Sequence, residues 1–227
     1  MSIRGGVDIA RARLARRSTG VALGLALSFE LGVALLERAQ GHVGAADRAL
    51  SGGAFGVALP LVGYFLVGRA CAGASSKEAV APLSRHGMDR YALTLGLTVP
   101  PALLASIFAA FSSVVVLLVT RGTGDAGLLA DALTSSWIGL VAGAAYVVAF
   151  MGASAYGRGG RGRSWLLAAD FVLGAGSSFL AFPWPKAHIR NLLGGSATLE
   201  LSQAGALGAL LGTSFAFLLL GTLRNQR

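Results

Sequence analysis

The sequence predicts an all-α membrane protein: six transmembrane helices behind an N-terminal amphipathic interfacial helix, in a single transmembrane domain over residues 1–227. Three observations carry the prediction. Charged residues make up 13% of the chain and hydrophobic ones 54%, where an ordinary soluble domain is about 25% charged. Runs of about twenty residues almost free of charge recur along the chain, each long enough to cross a bilayer core. The arginines behind the net charge of +9 gather at the edges of those runs, which fits membrane topology better than nucleic-acid binding.

In "MSIRGGVDIARARLARR", Ile3, Val7, Ala10 and Leu14 recur at spacings of four, three and four, with Arg4, Arg11, Arg13, Arg16 and Arg17 mostly on other faces. Residues 1–17 therefore read as a basic helix lying on a membrane surface. A cleaved signal peptide fits less well. The following apolar run is long, contains Glu30 and lacks a small-residue cleavage site, so the segment is expected to be retained. The six spans fall at about 18–36, 49–68, 91–119, 132–156, 164–182 and 201–223. Within the third, Pro100 and Pro101 each lack an N–H, and a kink or a separate short helix is expected there. Gly139-Leu-Val-Ala-Gly143 and the series Gly205, Gly208, Gly212 place small residues on one helical face, a spacing that lets helices approach closely.

Orientation follows from the distribution of Lys and Arg. The N-terminus, the loops after spans two and four and the C-terminal tail hold fourteen. The opposite side holds five: Arg38, Arg48, Arg121, Lys186 and Arg190. Both termini are thereby expected in the cytoplasm of a multi-pass protein.

Reactive chemistry is sparse. His42, His86 and His188 all fall in predicted loops, away from any intramembrane serine, which weakens serine-protease, metalloprotease and haem readings. Cys71 is the single cysteine and permits neither an internal disulfide nor a Cys-based metal site. No metal or cofactor is expected. No G-x-x-x-x-G-K-[ST] loop exists, so any ATP would be bound by another chain. Two acids lie inside apolar runs: Glu30 in span one, about two turns from Arg38, and Asp170 in span five, near the cytoplasmic interface. Such residues face a bundle interior, a cavity or a partner, as a polar lining or as satisfied structural acids. In "FPWPKAHIRNLLGG", Trp184 between two prolines suits an interfacial anchor. Ile189, Leu192 and Leu193 against Lys186, His188, Arg190 and Asn191 suggest a short outer amphipathic helix, re-entrant or on the surface, over 183–195.

The polar island "SSKEAVAPLSRHGMDR", residues 75–90, lies on the cytoplasmic side of the charge count. A short helix is expected over Ser76 to Ala81, with Ser75 or Ser76 as N-cap and Glu78 in the first turn. Pro82 and Gly87 punctuate it.

With its N-terminal interfacial helix, six spans, a cytoplasmic helix between spans two and three and a surface or re-entrant helix between spans five and six, the chain resembles the membrane subunit of the ABC-2 type transporter family. Family members often read small-Pro-x-Ser-Arg followed by an apolar run and a Gly-Lys pair. Here Ala81, Pro82, Leu83, Ser84 and Arg85 supply the first part, whereas Gly96 comes eleven residues after Arg85 and Leu97 stands in the lysine's place. The resemblance implies a permease without a nucleotide site of its own, energised by a separate ABC ATPase chain and mostly serving export. It also implies a homodimer, or a heterodimer with a related subunit, in the bacterial inner membrane, contacting lipids and no nucleic acid. Residues 75–90 would be the coupling helix, with Lys77, Glu78, Pro82, Ser84, Arg85, His86, Gly87, Asp89 and Arg90 meeting the ATPase. Substrate would pass between paired subunits, with Glu30 among its candidate contacts. A non-transporting scaffold or assembly factor is the other reading, and an intramembrane enzyme is the more remote one.

Overall fold

The computed structural model describes residues 2–41, 44–122 and 127–226, so His42 and Arg227 lie outside the described residues. Among those described, every regular element is helical. The N-terminal helix α1 spans Ser2–Leu14 and α2 spans Arg17–Ala39. Helix α3 runs over Ala45–Ala70 and is wound as a π-helix at Ala49–Ala58. The polar island supplies α4, Ser76–Ser84. Then come α5, Arg90–Arg121, α6, Leu128–Ala153, α7, Gly162–Leu173, α8, Pro185–Leu192, and α9, Gln203–Gln226. Five of these, α2, α3, α5, α6 and α9, are long and apolar enough to cross a membrane.

The fifth expected span, 164–182, is not one continuous helix. Helix α7 has 12 residues, about 18 Å of rise, against a hydrocarbon core of about 30 Å. It stops at Gly174-Ala-Gly-Ser-Ser, where glycines give the weakest helix propensity short of proline. Chain then turns through a short 3₁₀ segment, Phe179–Ala181, into α8. Glycine is common inside true spans, so the break carries no signature of its own in the sequence.

The third expected span, 91–119, is found as one long helix. Helix α5 is unbroken from Arg90 to Arg121 through both prolines, with no separate short helix before it. Its 32 residues reach about 48 Å, so its ends extend beyond an apolar core. Its first turns carry α1. A Cβ on Gly6 or on Gly96 would come within 3.0 Å of the other helix's backbone. Helix α1 therefore turns Gly6, Ala10 and Leu14 into the protein, while Ile3 remains exposed. The expected face of Ile3, Val7, Ala10 and Leu14 is thus rotated by part of a turn, because the backbone crossing needs glycine at its centre. Gly96, which comes late for the family pattern, is one half of that crossing, and Leu97 beside it is wholly buried.

Helices α5 and α6 form the central pair. Gly139 and Gly143 of α6 lie against the backbone at Ala109 and Ala105 of α5, too close for a Cβ, and the Ser106 hydroxyl donates to the Leu140 carbonyl at 2.7 Å. Helix α9 packs on α6 through Gly152 and Gly221. Among the described residues nothing lies within contact of a Cβ at Gly208 or Gly212, so the small face predicted there is left open by them. Both ends of the described chain share one end of the bundle: α1 crosses the start of α5, and Asn225 near the end of α9 bonds to Thr94 and Ser76. At the opposite end Arg48 pairs with Glu37 at 3.0 Å and Arg121 pairs with Asp131.

Candidate functional site

Helix α4 begins with a complete capping box. The Ser75 hydroxyl accepts from the Glu78 N–H at 3.2 Å, and the Glu78 carboxylate accepts from the Ser75 N–H at 2.8 Å and from its hydroxyl at 2.9 Å. These bonds, from the backbone N–H first and the hydroxyl second, hold the Glu78 carboxyl below its ordinary value of 4.5. The helix outlasts its expected end at Ala81: it continues through Pro82 to Ser84, and the Arg85 N–H donates to the Ala81 carbonyl at 3.2 Å. Proline is tolerated because the carbonyl it leaves without a donor is that of Glu78, which is exposed to water. Gly87, with φ at +79°, turns the chain toward α5.

The buried side of α4 is tied to several other elements. Ser76 donates its N–H to the Ser154 carbonyl at 3.4 Å, and its hydroxyl accepts from Asn225 at 3.1 Å. Arg163 of α7 is buried, and its guanidinium donates to the carbonyls of Ala74 and Gly73 at 3.0 and 3.2 Å. Arg13 of α1 donates to the Ala70 carbonyl at the end of α3, at 2.6 Å. Thus α4 is bolted to the ends of α6, α7 and α9, on a knot that α1 and α3 join.

The nine residues expected to meet a partner separate into two groups. Lys77, Pro82, Arg85, His86 and Gly87 are exposed on α4 and its tip. The other four bond within the chain, although Glu78 and Asp89 are exposed as well. Glu78 closes the capping box, and the Ser84 hydroxyl donates to the Ala81 carbonyl at 3.0 Å. Asp89 caps α5 by accepting from the Ala92 N–H at 2.7 Å, and Arg90 donates to the Asn225 carbonyl at 3.1 Å.

The intramembrane candidates are more enclosed than expected. Asp170 is 0% exposed, not water-accessible near an interface. It accepts from the Tyr146 hydroxyl at 2.9 Å and from the Lys186 N–H at 3.0 Å, so a carboxyl on α7 caps the start of α8. Lys186 itself is half-buried, its ammonium 4.9 Å over the Phe171 ring and its stem near Gly56 of the π-wound segment. Glu30 is buried on α2, a helix that otherwise buries only Thr19 and Ala34. Ser112 of α5 is its polar neighbour, and its Oε2 has no hydrogen-bond partner among the described residues. Arg38 points elsewhere, to the Val119 carbonyl at 2.8 Å. Glu30 is thus enclosed on the side of α2 that faces α5.

Three expectations for 183–195 change as well. Trp184 is no outer anchor: it stacks on Phe217 at 6.4 Å between centroids and shares a groove with Ala153 and Tyr156, toward the α4 end. His188 lies on α8, where the short helix is expected, but it is 0% exposed and not on an open polar face, with Nε2 2.6 Å from the Phe182 carbonyl oxygen. Arg190 donates to the carbonyls of Ala175 and Gly176, filling backbone acceptors freed where α7 ends. The polar residues of α8 therefore face inward, since the neighbouring break offers them carbonyl partners.

Among the described residues no group of three His, Cys, Asp or Glu side chains could hold a metal ion. No protein-family model, curated protein or solved structure matches this chain.

Proposed function

We propose that the chain is the membrane subunit of an ATP-driven transporter of the ABC-2 type, exporting its substrate with energy from a separate ABC ATPase chain. It would work as a homodimer, or with a related subunit, in a bacterial inner membrane. The basic residues at the α4 end support a cytoplasmic placement of that end and of both termini. Helices α7 and α8 together make the fifth of six crossings, as two half-length pieces whose freed carbonyls are bonded within the protein, the condition for irregular backbone at membrane depth.

The observation that carries the proposal is the attachment of α4. A solvated topological loop needs no capped helix bonded to three other helix ends. Here an inward push on Lys77, Pro82 or Arg85 passes through Ser76 and Asn225 to α9, and through Ala74 and Arg163 to α7. Closure of an ATPase dimer supplies such a push, and paired subunits convert it to alternating access.

The test is co-purification of an ATPase chain with the full-length protein, followed by its ATP hydrolysis with Lys77→Glu and Arg85→Glu. Loss of coupled hydrolysis in a folded variant is expected. Absence of any associated ATPase would leave a scaffold as the function. Arg90→Glu is unsuited to this purpose, because Arg90 holds the end of α9.

A further inference from the structure

Two grooves of opposite chemistry meet at Tyr156, at the α4 end of the bundle. On one side Ala153, Trp165, Ala169, Trp184, Phe217 and Leu220 line an apolar groove of about 380 Å³ between α6, α7 and α9. On the other, Lys77, Arg158 and Arg224 border an open groove of about 740 Å³ between α4 and the turn after α6. The junction is fixed. The Arg224 guanidinium lies 4.9 Å over the Tyr156 ring, and the Tyr156 hydroxyl donates to the Leu220 carbonyl at 3.3 Å. Glu78 is the one acid on the basic side, and its carboxylate is turned to Ser75.

An occupant of both grooves needs an apolar tail and an anionic head. We propose that they bind an anionic phospholipid from the leaflet at the α4 end, with an acyl chain along Trp165, Ala169 and Phe217 and the phosphate at Arg158 and Arg224. Basic pockets between spanning helices suit such headgroups, and each basic residue near an anionic surface is worth about fivefold in affinity. Arg158 and Arg224 are exposed. Trp165, 75% exposed, stands beside the apolar groove as an aromatic belt residue does. The assignment goes beyond transport and requires neither an ATPase nor a second subunit, so it stands or falls separately.

The full chain, purified in detergent and titrated with phosphatidylglycerol or with phosphatidylcholine of the same acyl chains, is read by native mass spectrometry. Phosphatidylglycerol is expected to bind at least about tenfold more tightly. The pair Arg158→Gln and Arg224→Gln should weaken it by about tenfold or more, while Arg158→Lys with Arg224→Lys keeps most of the binding. Ala169→Trp, which fills the apolar groove, should release the lipid in protein that still runs as a folded species. Glycerol phosphate, a head without a tail, should displace nothing. Equal binding of the two lipids, an unchanged Gln pair, or full displacement by glycerol phosphate would each overturn the proposal. So would binding of an acidic peptide, abolished by the Gln pair, that leaves lipid stoichiometry unchanged, since the basic groove would then be a protein contact.

Discussion

Helix α4 and the α7–α8 pair are both short helical pieces rich in polar residues, yet they are held by opposite means. In α4 the bonds that define the element join residues three or four apart: Ser75 to Glu78 at its start and Arg85 to Ala81 at its end. In α7–α8 the defining partners are distant. Asp170 caps a helix that starts fifteen residues later and takes a hydroxyl from Tyr146 on α6. The comparison teaches that a local polar pattern announces a surface element, whereas a polar group at membrane depth is explained only by what the fold brings to it. Cutting one region should loosen a helix, and cutting the other should unlock the bundle.

The largest expected effect is therefore at Asp170. Asp170→Ala strands the buried Tyr146 hydroxyl and the Lys186 N–H, each costing about 1–3 kcal/mol. A loss of roughly 3 kcal/mol or more should be measurable by thermal or denaturant unfolding in detergent. A loss below about 1 kcal/mol would mean that α8 is held by packing alone. Next is the α1 crossing. Gly96→Leu forces α1 away from α5, at about 1–3 kcal/mol for overpacking, and should expose α1 to protease while leaving α9 protected. Smaller again is Ser75→Ala, about 1 kcal/mol for loss of a cap, seen as faster hydrogen exchange confined to α4.

The pH dependence of α4 sharpens the same contrast. Glu78 has its folded pKa lowered, so its contribution is fully present above the ordinary value of 4.5 and is lost as pH falls through the lowered folded value. Exchange in α4 should accelerate in acid, and Ser75→Ala should flatten that dependence. Least of all, Lys77→Glu and Arg85→Glu should change stability by no more than about 0.5 kcal/mol, as exposed substitutions do. A large destabilisation there would remove the division between outward and anchoring residues of α4.

Much of the fold could be read directly. Five expected spans, 18–36, 49–68, 91–119, 132–156 and 201–223, fall on α2, α3, α5, α6 and α9, because twenty apolar residues have few other stable states in lipid. The N-cap at Ser75 and the Gly139–Gly143 contact were legible for similar reasons, one a bond across three residues and the other a spacing on one helix face. The fifth span was misplaced because Gly174 to Ser178 is as compatible with a lipid-packed helix as with a break. Lys186, His188 and Arg190 read as the polar side of an outer amphipathic helix, although carbonyls of Ala175, Gly176 and Phe182 lie within bonding distance of two of them.

By itself the sequence determined a membrane-spanning helical chain, its run boundaries to within a few residues, and a capped polar helix between the second and third runs. Those features depend on hydrophobicity over about twenty positions and on hydrogen bonds within one turn. Tertiary structure alone decided which polar residues are buried, that Gly96 seats α1, and that Asp170 joins α7 to α8. The physical reason is distance along the chain: Lys186 is sixteen positions from Asp170 and Gly96 is ninety from Gly6, and no local pattern records which partner will arrive.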